Sequence, residues 1–519
     1  MEFSKRFVEL SIAKNLKILI HKLLIIGVIK LAKFYITTPI YYVNDKPHLG
    51  HFYTTLVADI LARWHRLKGE DVFFLTGTDE NSQKNVKAAE KVGKDVKQYV
   101  DEMATQWRET WEKLNISFDD FIRTTEERHK KAVYEFFKRV MEKGDIYKGK
   151  YVGYYCVDCE AFLTKSDLID GKCPIHKKEP ILLEEENWFF AASKYKQALL
   201  DYIEKHPDFI QPEARKNEVL NYINTGFGDI SISRQSQKWG IPFPNDPSQV
   251  VYVWFDALIN YLSGIGFGYD EEKFKKFWPA DVHLVGKDII KFHCAIWPAM
   301  LMSAGLPLPK HVYAHGFWTV KGEKMSKSLG NVIDPVKLAE KYPLDAIRYF
   351  LIRQVPFGED GDFSEEALVE RLNNELADEL GNLVNRVLTL AERFSGKIKG
   401  KPELEKELKL EEIDKHMENF RVDLALTEIW NFVKACNRYI NEKEVWKLEG
   451  EELSNALYNL LESLRILSIL LYPFLPYTAE KIRKMLGIKE KQGFNDCKFR
   501  EFKWKPKKGE ILFKKIKAQ

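Results

Sequence analysis

Cysteine is scarce in this chain of 519 residues: there are six, three of them within one short segment, which excludes a disulfide scaffold and points to a reducing compartment, the cytoplasm. Charge of one sign is also lacking, since a formal net charge of +4 does not by itself mark a nucleic-acid binder. No internal repeat and no low-complexity linker is present. Long apolar runs are missing too. The nearest to one, Ile18 to Ile29, is interrupted by His21 and Lys22, is too short to span a bilayer and is followed by no small-residue cleavage site, so it is not a membrane anchor. Residues 1 to about 30 are expected to be a dispensable arm or an artefact of start-site choice, because the first strand pattern begins at Phe34.

The length requires more than one core, and three or four domains of ordinary size are expected. Charge is distributed unevenly. From Lys481 onward there are 14 Lys and Arg against 4 Asp and Glu, and the first 33 residues hold 7 against 2, so a phosphate-rich partner would meet these ends unless they are merely solvated.

Two short strings separated by 272 residues carry the chemistry. Pro47-His48-Leu49-Gly50-His51 follows an apolar run from Phe34 to Val43 and opens a stretch with Leu49, Phe52, Leu56, Ile60 and Leu61 at helical spacing, which is strand, turn, helix. Histidines at such a helix start donate to phosphate oxygens beside the free N–H groups, and Gly50 lets a nucleotide lie against bare backbone. Lys324-Met325-Ser326-Lys327-Ser328 follows the strand-like Val312–Val320 on a polar segment, where two ammonium groups and two hydroxyls can close over a pyrophosphate as a mobile loop. Neither string is a Walker loop or a dinucleotide fingerprint. Singly, each reads equally well as a helix entrance or a solvated loop.

Cys156-Val-Asp-Cys159, followed after 13 residues by Cys173-Pro-Ile-His176, offers three thiolates and one imidazole on two tight turns. Four soft ligands at that spacing suit one closed, tetrahedral, structural Zn2+, with a cluster of buried or redox cysteines as the alternative. Cys294, Cys436 and Cys497 are isolated and read as packing or surface residues.

Strand and helix patterns alternate from residue 34 to about 125 and again from Val250 to Val320, with the cysteines on an insertion between. After Asp362 apolar residues recur helically at Leu368, Leu372, Leu376, Leu380, Leu383, Val387 and Leu390, with Asp362 and Glu365 placed as a capping box. The expected fold is α/β: a Rossmann-like parallel sheet split by a zinc-knuckle insertion and followed by an all-helical bundle. The boundaries read as an extension over 1–32, sheet halves at 33–125 and 250–320, the insertion at 126–249 with its knuckle at 156–176, a connecting region at 321–365, the bundle at 366–490 and a basic segment at 491–519.

In order and context the two strings resemble the signature motifs of class I aminoacyl-tRNA synthetases. Thr37–Asn44, Thr76-Gly-Thr-Asp79, Tyr252–Tyr261 and Gly286–His293 are similar to blocks of the methionyl-tRNA synthetase family, and the resemblance covers almost everything from Phe34 onward. It implies a methionine slot of Ile40, Tyr42, Trp254, Ala257, Tyr261, Ile289 and His293, with Asp79 on the substrate's amino group. A thioether packs well against rings, though Trp254 and Tyr261 alone would read as core. It further implies ribose contacts from Gly286 and Asp288, and catalysis by His48, His51, Lys324 and Lys327 with Mg2+ and ATP. In the bundle, Asn382, Arg386 and Trp446 match positions that read the CAU anticodon, which makes 366–490 an anticodon-binding domain and tRNA(Met) the partner. After Asp79 the family usually has Glu-His-Gly, whereas this chain has Glu80-Asn81-Ser82, which puts the loop's geometry in question.

The implied reaction activates methionine to methionyl-adenylate and transfers it to tRNA. No large editing insertion is present, which separates the chain from the leucine, isoleucine and valine enzymes, and the bundle separates it from small nucleotidyltransferases. A zinc-containing RNA-binding protein with a retired active site is the reading from another class. Many relatives append an oligonucleotide-binding barrel, so a separate tRNA-clamp subunit is a further expectation.

Overall fold

The computed structural model describes residues 32–163, 165–325 and 330–517; the amino-terminal extension expected over 1–32 therefore lies, but for its last residue, outside the described residues. The chain enters the core as β1 (Lys33–Tyr42), turns into helix α1 (Leu49–Leu67) and returns as β2 (Asp71–Asp79), which leads into helix α2 (Gln83–Lys91) and β3 (Asp120–Arg123). Helix α3 (Glu127–Glu142) opens the insertion. Its antiparallel sheet is built from β4 (Ile146–Cys156), β5 (Ala161–Leu163), β6 (Ile181–Phe190) and, after the two-residue strand β7 (Ile210–Gln211), β8 (Ile230–Ser231). The core resumes with β9 (Val282–Gly286) and β10 (His311–His315).

Six strands pair in parallel in the order β3-β2-β1-β9-β10-β7. Their runs of β-branched and aromatic residues are buried on both faces, as a helix-covered parallel sheet requires. Ile36, Phe74 and Leu284 face one core with α1, whereas Tyr35, Leu75 and Val285 face a second core with α3 and the insertion. The insertion is not wholly apart from the sheet, because β7 pairs with β10 through Val312 and Ile210 and forms its edge. The chain winds outward from β1 first toward β2 and β3, then toward β9 and β10. That reversal sets a ligand crevice at the carboxyl ends of β1 and β9.

Beyond β10, Trp318–Val320 pairs in parallel with Gly361–Phe363, and helix α4 (Leu344–Arg353) lies between them in sequence. A continuous helical stretch then runs from Glu365 to Arg393, wound as a π-helix over Leu372–Gly381 and ending in α5 (Asn382–Arg393). Helices α6 (Val422–Glu442), α7 (Gly450–Leu470) and α8 (Pro476–Met485) complete the bundle. The predicted stripe Leu368, Leu372, Leu376, Leu380, Leu383 and Val387 is buried, and Leu390 packs half-buried against it.

The capping box expected at Asp362 and Glu365 is not formed. Pairing with Trp318–Val320 keeps the chain extended through Phe363, so Ser364 is the N-cap and accepts from the Ala367 N–H at 3.1 Å. Asp362 instead accepts from Thr319 Oγ1 at 2.6 Å and Gly322 N at 2.9 Å, and Glu365 accepts from the Tyr342 hydroxyl at 2.7 Å. The basic carboxyl-terminal segment is tied down: Cys497 and Phe513 are buried, and Arg465 donates to the Asp496 and Lys498 carbonyls at 2.9 and 2.7 Å. Cys294 and Cys436 are buried as well. Among the described residues no helix is long and apolar enough to cross a membrane.

Candidate active site and metal knuckle

The two histidines cap α1 for each other. His48 is the N-cap, and its Nδ1 accepts from the Gly50 N–H at 3.0 Å, while His51 Nδ1 accepts from the His48 N–H at 3.1 Å. The result is a capping box made of imidazoles, stacked with ring centres 3.7 Å apart. A Cβ on Gly50 would sit 2.9 Å from His48 Cε1, so any side chain there would displace the ring. Burial, joined by the charge of Lys324, pushes His48 down to about 4. Burial, His48, Lys84 and Lys324 hold His51 well below the ordinary value. Both rings are thus neutral near pH 7. Because each Nδ1 accepts a backbone N–H, the single proton sits on Nε2, which is left as a donor.

Lys324 lies across the crevice, close enough for its charge to act on both histidines, with its ammonium 4.7 Å from the centre of the Phe317 ring. The far side of the loop returns to the same place, since the Leu49 N–H donates to the Ile333 carbonyl at 2.9 Å and Asn331 Nδ2 donates to the Lys324 carbonyl at 3.2 Å. Lys327, with residues 326–329, lies outside the described residues. Gly286 is the last residue of β9 and Asp288 follows it, and His315 at the end of β10 accepts from Thr54 Oγ1 of α1 at 2.7 Å.

The seven residues expected to line a slot lie in or against the second core. Ile40, Tyr42, Trp254 and Ile289 are half-buried against the second core, and Ala257, Tyr261 and His293 are buried. Trp254 stacks on Phe292 at 3.9 Å and meets His293 edge-on at 6.3 Å. His293, on a π-helical turn, donates from Nδ1 to the Ile289 carbonyl at 3.0 Å, so its Nε2 accepts the Tyr261 hydroxyl at 2.7 Å; burial pushes its pKa down to about 4. The Tyr42 hydroxyl is buried and, among the described residues, has no hydrogen-bond partner. Asp79 ends β2, buried; burial and the neighbouring Asp256 raise its carboxyl well above the usual range, a setting in which an incoming ammonium group is strongly favoured.

The unusual Asn81 and Ser82 are fully used. Asn81 Nδ2 donates to Asp256 at 2.6 Å, and Ser82 accepts from the Asn85 N–H at 3.3 Å to cap α2. Asp256 in turn meets His129 Nε2 at 2.6 Å, and His129 Nδ1 lies 2.8 Å from Ser263 Oγ. Sequence reading missed this buried network and also missed Lys84 and Glu160, because each is a lone residue in no recognisable spacing.

Cys156, Cys159, Cys173 and His176 present ligand atoms that all lie within 4.8 Å of one another. Cys159 Sγ is 3.4 Å from Cys173 Sγ and 3.1 Å from His176 Nδ1. Two thiolates on one tetrahedral zinc, each at ~2.3 Å, would be about 3.8 Å apart, so the donor set and its compactness fit such an ion. Burial and the adjacent thiols push Cys159 up, a repulsion that a divalent cation removes. The knuckle leans on Trp254 and Tyr252: Trp254 Nε1 donates to the Cys159 carbonyl at 3.4 Å and the Tyr252 hydroxyl to the Glu160 carbonyl at 2.6 Å.

In the bundle, Asn382 and Arg386 lie one turn apart on α5. The Arg386 guanidinium stands 5.7 Å from the centre of the Trp446 ring and donates to Asn441 at 2.9 Å. Trp446 is 52% exposed, uncommon for so large an apolar ring and suited to stacking on a base.

A parallel sheet with paired histidines at its switch point, a lysine loop opposite and a helical bundle beyond defines a class I tRNA synthetase. The family model described as tRNA synthetases class I (M) matches residues 34–179 and 163–388, and that of the anticodon-binding domain of tRNA ligase matches 403–517. The methionine–tRNA ligase of Caldanaerobacter subterraneus subsp. tengcongensis is 48% identical over 505 residues, spanning 94% of this chain and 79% of that protein. That of Thermotoga maritima is 48% identical over 512 residues, spanning 94% and 81%. Among solved structures, Mycobacterium tuberculosis methionyl-tRNA synthetase in complex with methionyl-adenylate aligns with a TM-score of 0.89 at 40% identity, covering 93% of this chain and 100% of that one. The chain belongs to the methionine–tRNA ligase family, and its reaction is the ATP-dependent ligation of methionine to tRNA.

Proposed function

We propose that the crevice between β1 and β9 runs the first step of this reaction with a division of labour among the residues just described. The methionine side chain enters the slot of Ile40, Tyr42, Trp254, Ala257, Tyr261, Ile289 and His293, and Asp79 takes its ammonium group. Ribose lies against Gly286 and Asp288, with Gly50 beside the nucleotide. The carboxylate attacks the α-phosphate in line, and pyrophosphate leaves. His48 and His51 donate Nε2–H to phosphate oxygens as neutral groups, while Lys324 and Lys327 supply the positive charge from the other side. Mg2+ accompanies ATP and adds charge neutralisation. The tRNA ribose hydroxyl, the 2′-OH in this class, then takes the methionyl group.

The observation that carries this reading is the imidazole capping box, which leaves two Nε2–H donors at a helix start within the field of Lys324. Methionine-dependent exchange of labelled pyrophosphate into ATP tests it; a folded protein that fails to exchange would leave only the RNA-binding reading. The cysteine cluster holds one structural Zn2+, and Asn382, Arg386 and Trp446 read the CAU anticodon of tRNA(Met) by stacking and hydrogen bonding. A protein with this task in translation works in the cytoplasm, and a separate tRNA-clamp subunit fits the same scheme.

A further inference from the structure

Lys84 belongs to neither signature string, yet it neighbours residues assigned above to both halves of the substrate. It occupies the first turn of α2, half-buried, with Nζ 4.5 Å from the centre of the Tyr42 ring on the methionine side, and its charge acts on His51 on the phosphate side. Its own surroundings do not neutralise it by contact. Among the described residues no acceptor hydrogen-bonds Nζ and no carboxylate forms an ion pair with it. Glu160, the carboxylate whose charge acts on it most, is engaged elsewhere: Oε1 accepts the Lys84 backbone N–H at 3.0 Å and Oε2 accepts the Tyr155 hydroxyl. Burial lowers the lysine pKa, and Glu160 and Asp158 work in the opposite direction. An ammonium group half out of water, with no protein acceptor among the described residues, suits an anion that arrives with the substrate.

We propose that Lys84 is a further catalytic residue, whose ammonium binds a non-bridging oxygen of the α-phosphate at the junction of the methionine slot and the histidine pair. This rests on the division of labour given above. As the methionine carboxylate oxygen bonds to the α-phosphorus, the bond from that phosphorus to the bridging oxygen breaks and its electron pair leaves with pyrophosphate. Lys84 neither gives nor takes a proton; it offsets charge on the five-coordinate phosphorus and stays on the adenylate. The neutral histidines supply donors but no charge, so a cation beside them adds what they lack.

Pyrophosphate exchange by Lys84→Met and Lys84→Arg variants is the test, with methionine and methioninyl adenylate, a non-reactive ester, as binding probes. Lys84→Met is expected to lower the exchange kcat by about 10²-fold and to weaken methioninyl adenylate by a similar factor, with methionine affinity changed less than threefold. Lys84→Arg, which keeps the charge, recovers part of the loss. An unaltered kcat in Lys84→Met would overturn the proposal, and so would an equal loss of methionine affinity, which would place the lysine on the amino acid carboxylate. If the wild-type protein itself failed to exchange, the reading of the crevice would fail instead.

Discussion

Arg348 gives the sharpest quantitative test of how the catalytic sheet and the bundle hold each other. Its side chain, fully buried on α4, donates to Asp59 of α1 at 2.7 Å and to the carbonyls of Pro473 and Phe474, between α7 and α8, at 2.9 and 2.8 Å. One guanidinium thus joins the helix that carries the histidines to the anticodon bundle. Breaking a buried pair on one side destabilises by about 3 to 5 kcal/mol, since the other charge is left unpaired. Asp59 would not be left bare, because Arg63 meets it at 2.8 Å and Ser117 donates to it from N and Oγ at 2.7 and 2.6 Å. Arg348→Met should therefore fall at the low end, about 3 kcal/mol, most of it from two orphaned carbonyls. Asp59→Leu should do more harm, because it strips both arginines, and the double variant should be less damaged than the sum of the singles. Urea unfolding followed by tryptophan fluorescence measures all three. The pair also has a pH signature. Burial alone would raise the Asp59 carboxyl, but Arg348, Arg63 and Ser117 bring it below its usual value. Its contribution is complete above the unfolded pKa near 4 and disappears as the pH falls through the lower folded value. Arg348→Met within about 0.5 kcal/mol of wild type would refute the reasoning, since that is the scatter of ordinary surface substitutions.

Four further outcomes are expected. Lys327→Ala should depress adenylate formation far more than methionine binding, read as kcat against Kd; equal losses in both would remove its assignment to the phosphates. Trp446→Ala should spare pyrophosphate exchange and weaken aminoacylation by about 1 to 3 kcal/mol, the worth of one base stacked on an aromatic ring; a damaged exchange reaction would contradict the anticodon role. Metal analysis should return about one zinc per chain, and a zinc-free preparation that folds and turns over normally would dismiss the knuckle. Because His48 and His293 are held down to about 4, the unfolded chain binds protons that the native one does not. Stability should thus fall as the pH drops from about 6.5 toward 4, and a melting temperature flat across that window would contradict the neutral histidines.

Much of the architecture was legible because its signals are local and repeated. An apolar run marked β1, the strand-like Val312–Val320 held β10 and the separate strand Trp318–Val320, and the leucine stripe from Leu368 to Val387 marked the long helical stretch. The cysteine spacing located the knuckle without knowledge of the fold, since two turns bring all four ligands together. What escaped was decided by partners distant in sequence. The strand β7 is two residues long and exists only because β10 offers an edge to pair with. Ser364 displaced the expected capping box because a neighbouring strand kept Asp362 extended. The protonation of the histidines was equally hidden: spacing showed two donors at a helix start, but only the backbone hydrogen bonds to each Nδ1 fixed which nitrogen carries the proton.

The Asn81 loop shows why a departure from a family's pattern cannot be weighed by sequence alone. A carboxylate as deeply buried as Asp256 needs donors on both oxygens. It receives them from Asn81 Nδ2 at 2.6 Å on one and from His129 Nε2 at 2.6 Å on the other, across 175 and 127 residues of chain. Asparagine thus satisfies the acid with a donor that has no titration of its own. Ser82, in place of glycine, caps α2, and Asn85 on the next turn donates to the Asp79 carbonyl at 2.9 Å. The loop that carries Asp79 is therefore fixed from three sides, by Asp256, by the start of α2 and by the Arg123 guanidinium bidentate on Glu80 at 2.7 and 2.9 Å. The substituted residues thus fix the position of Asp79, and the helix that Ser82 caps carries Lys84 in its first turn.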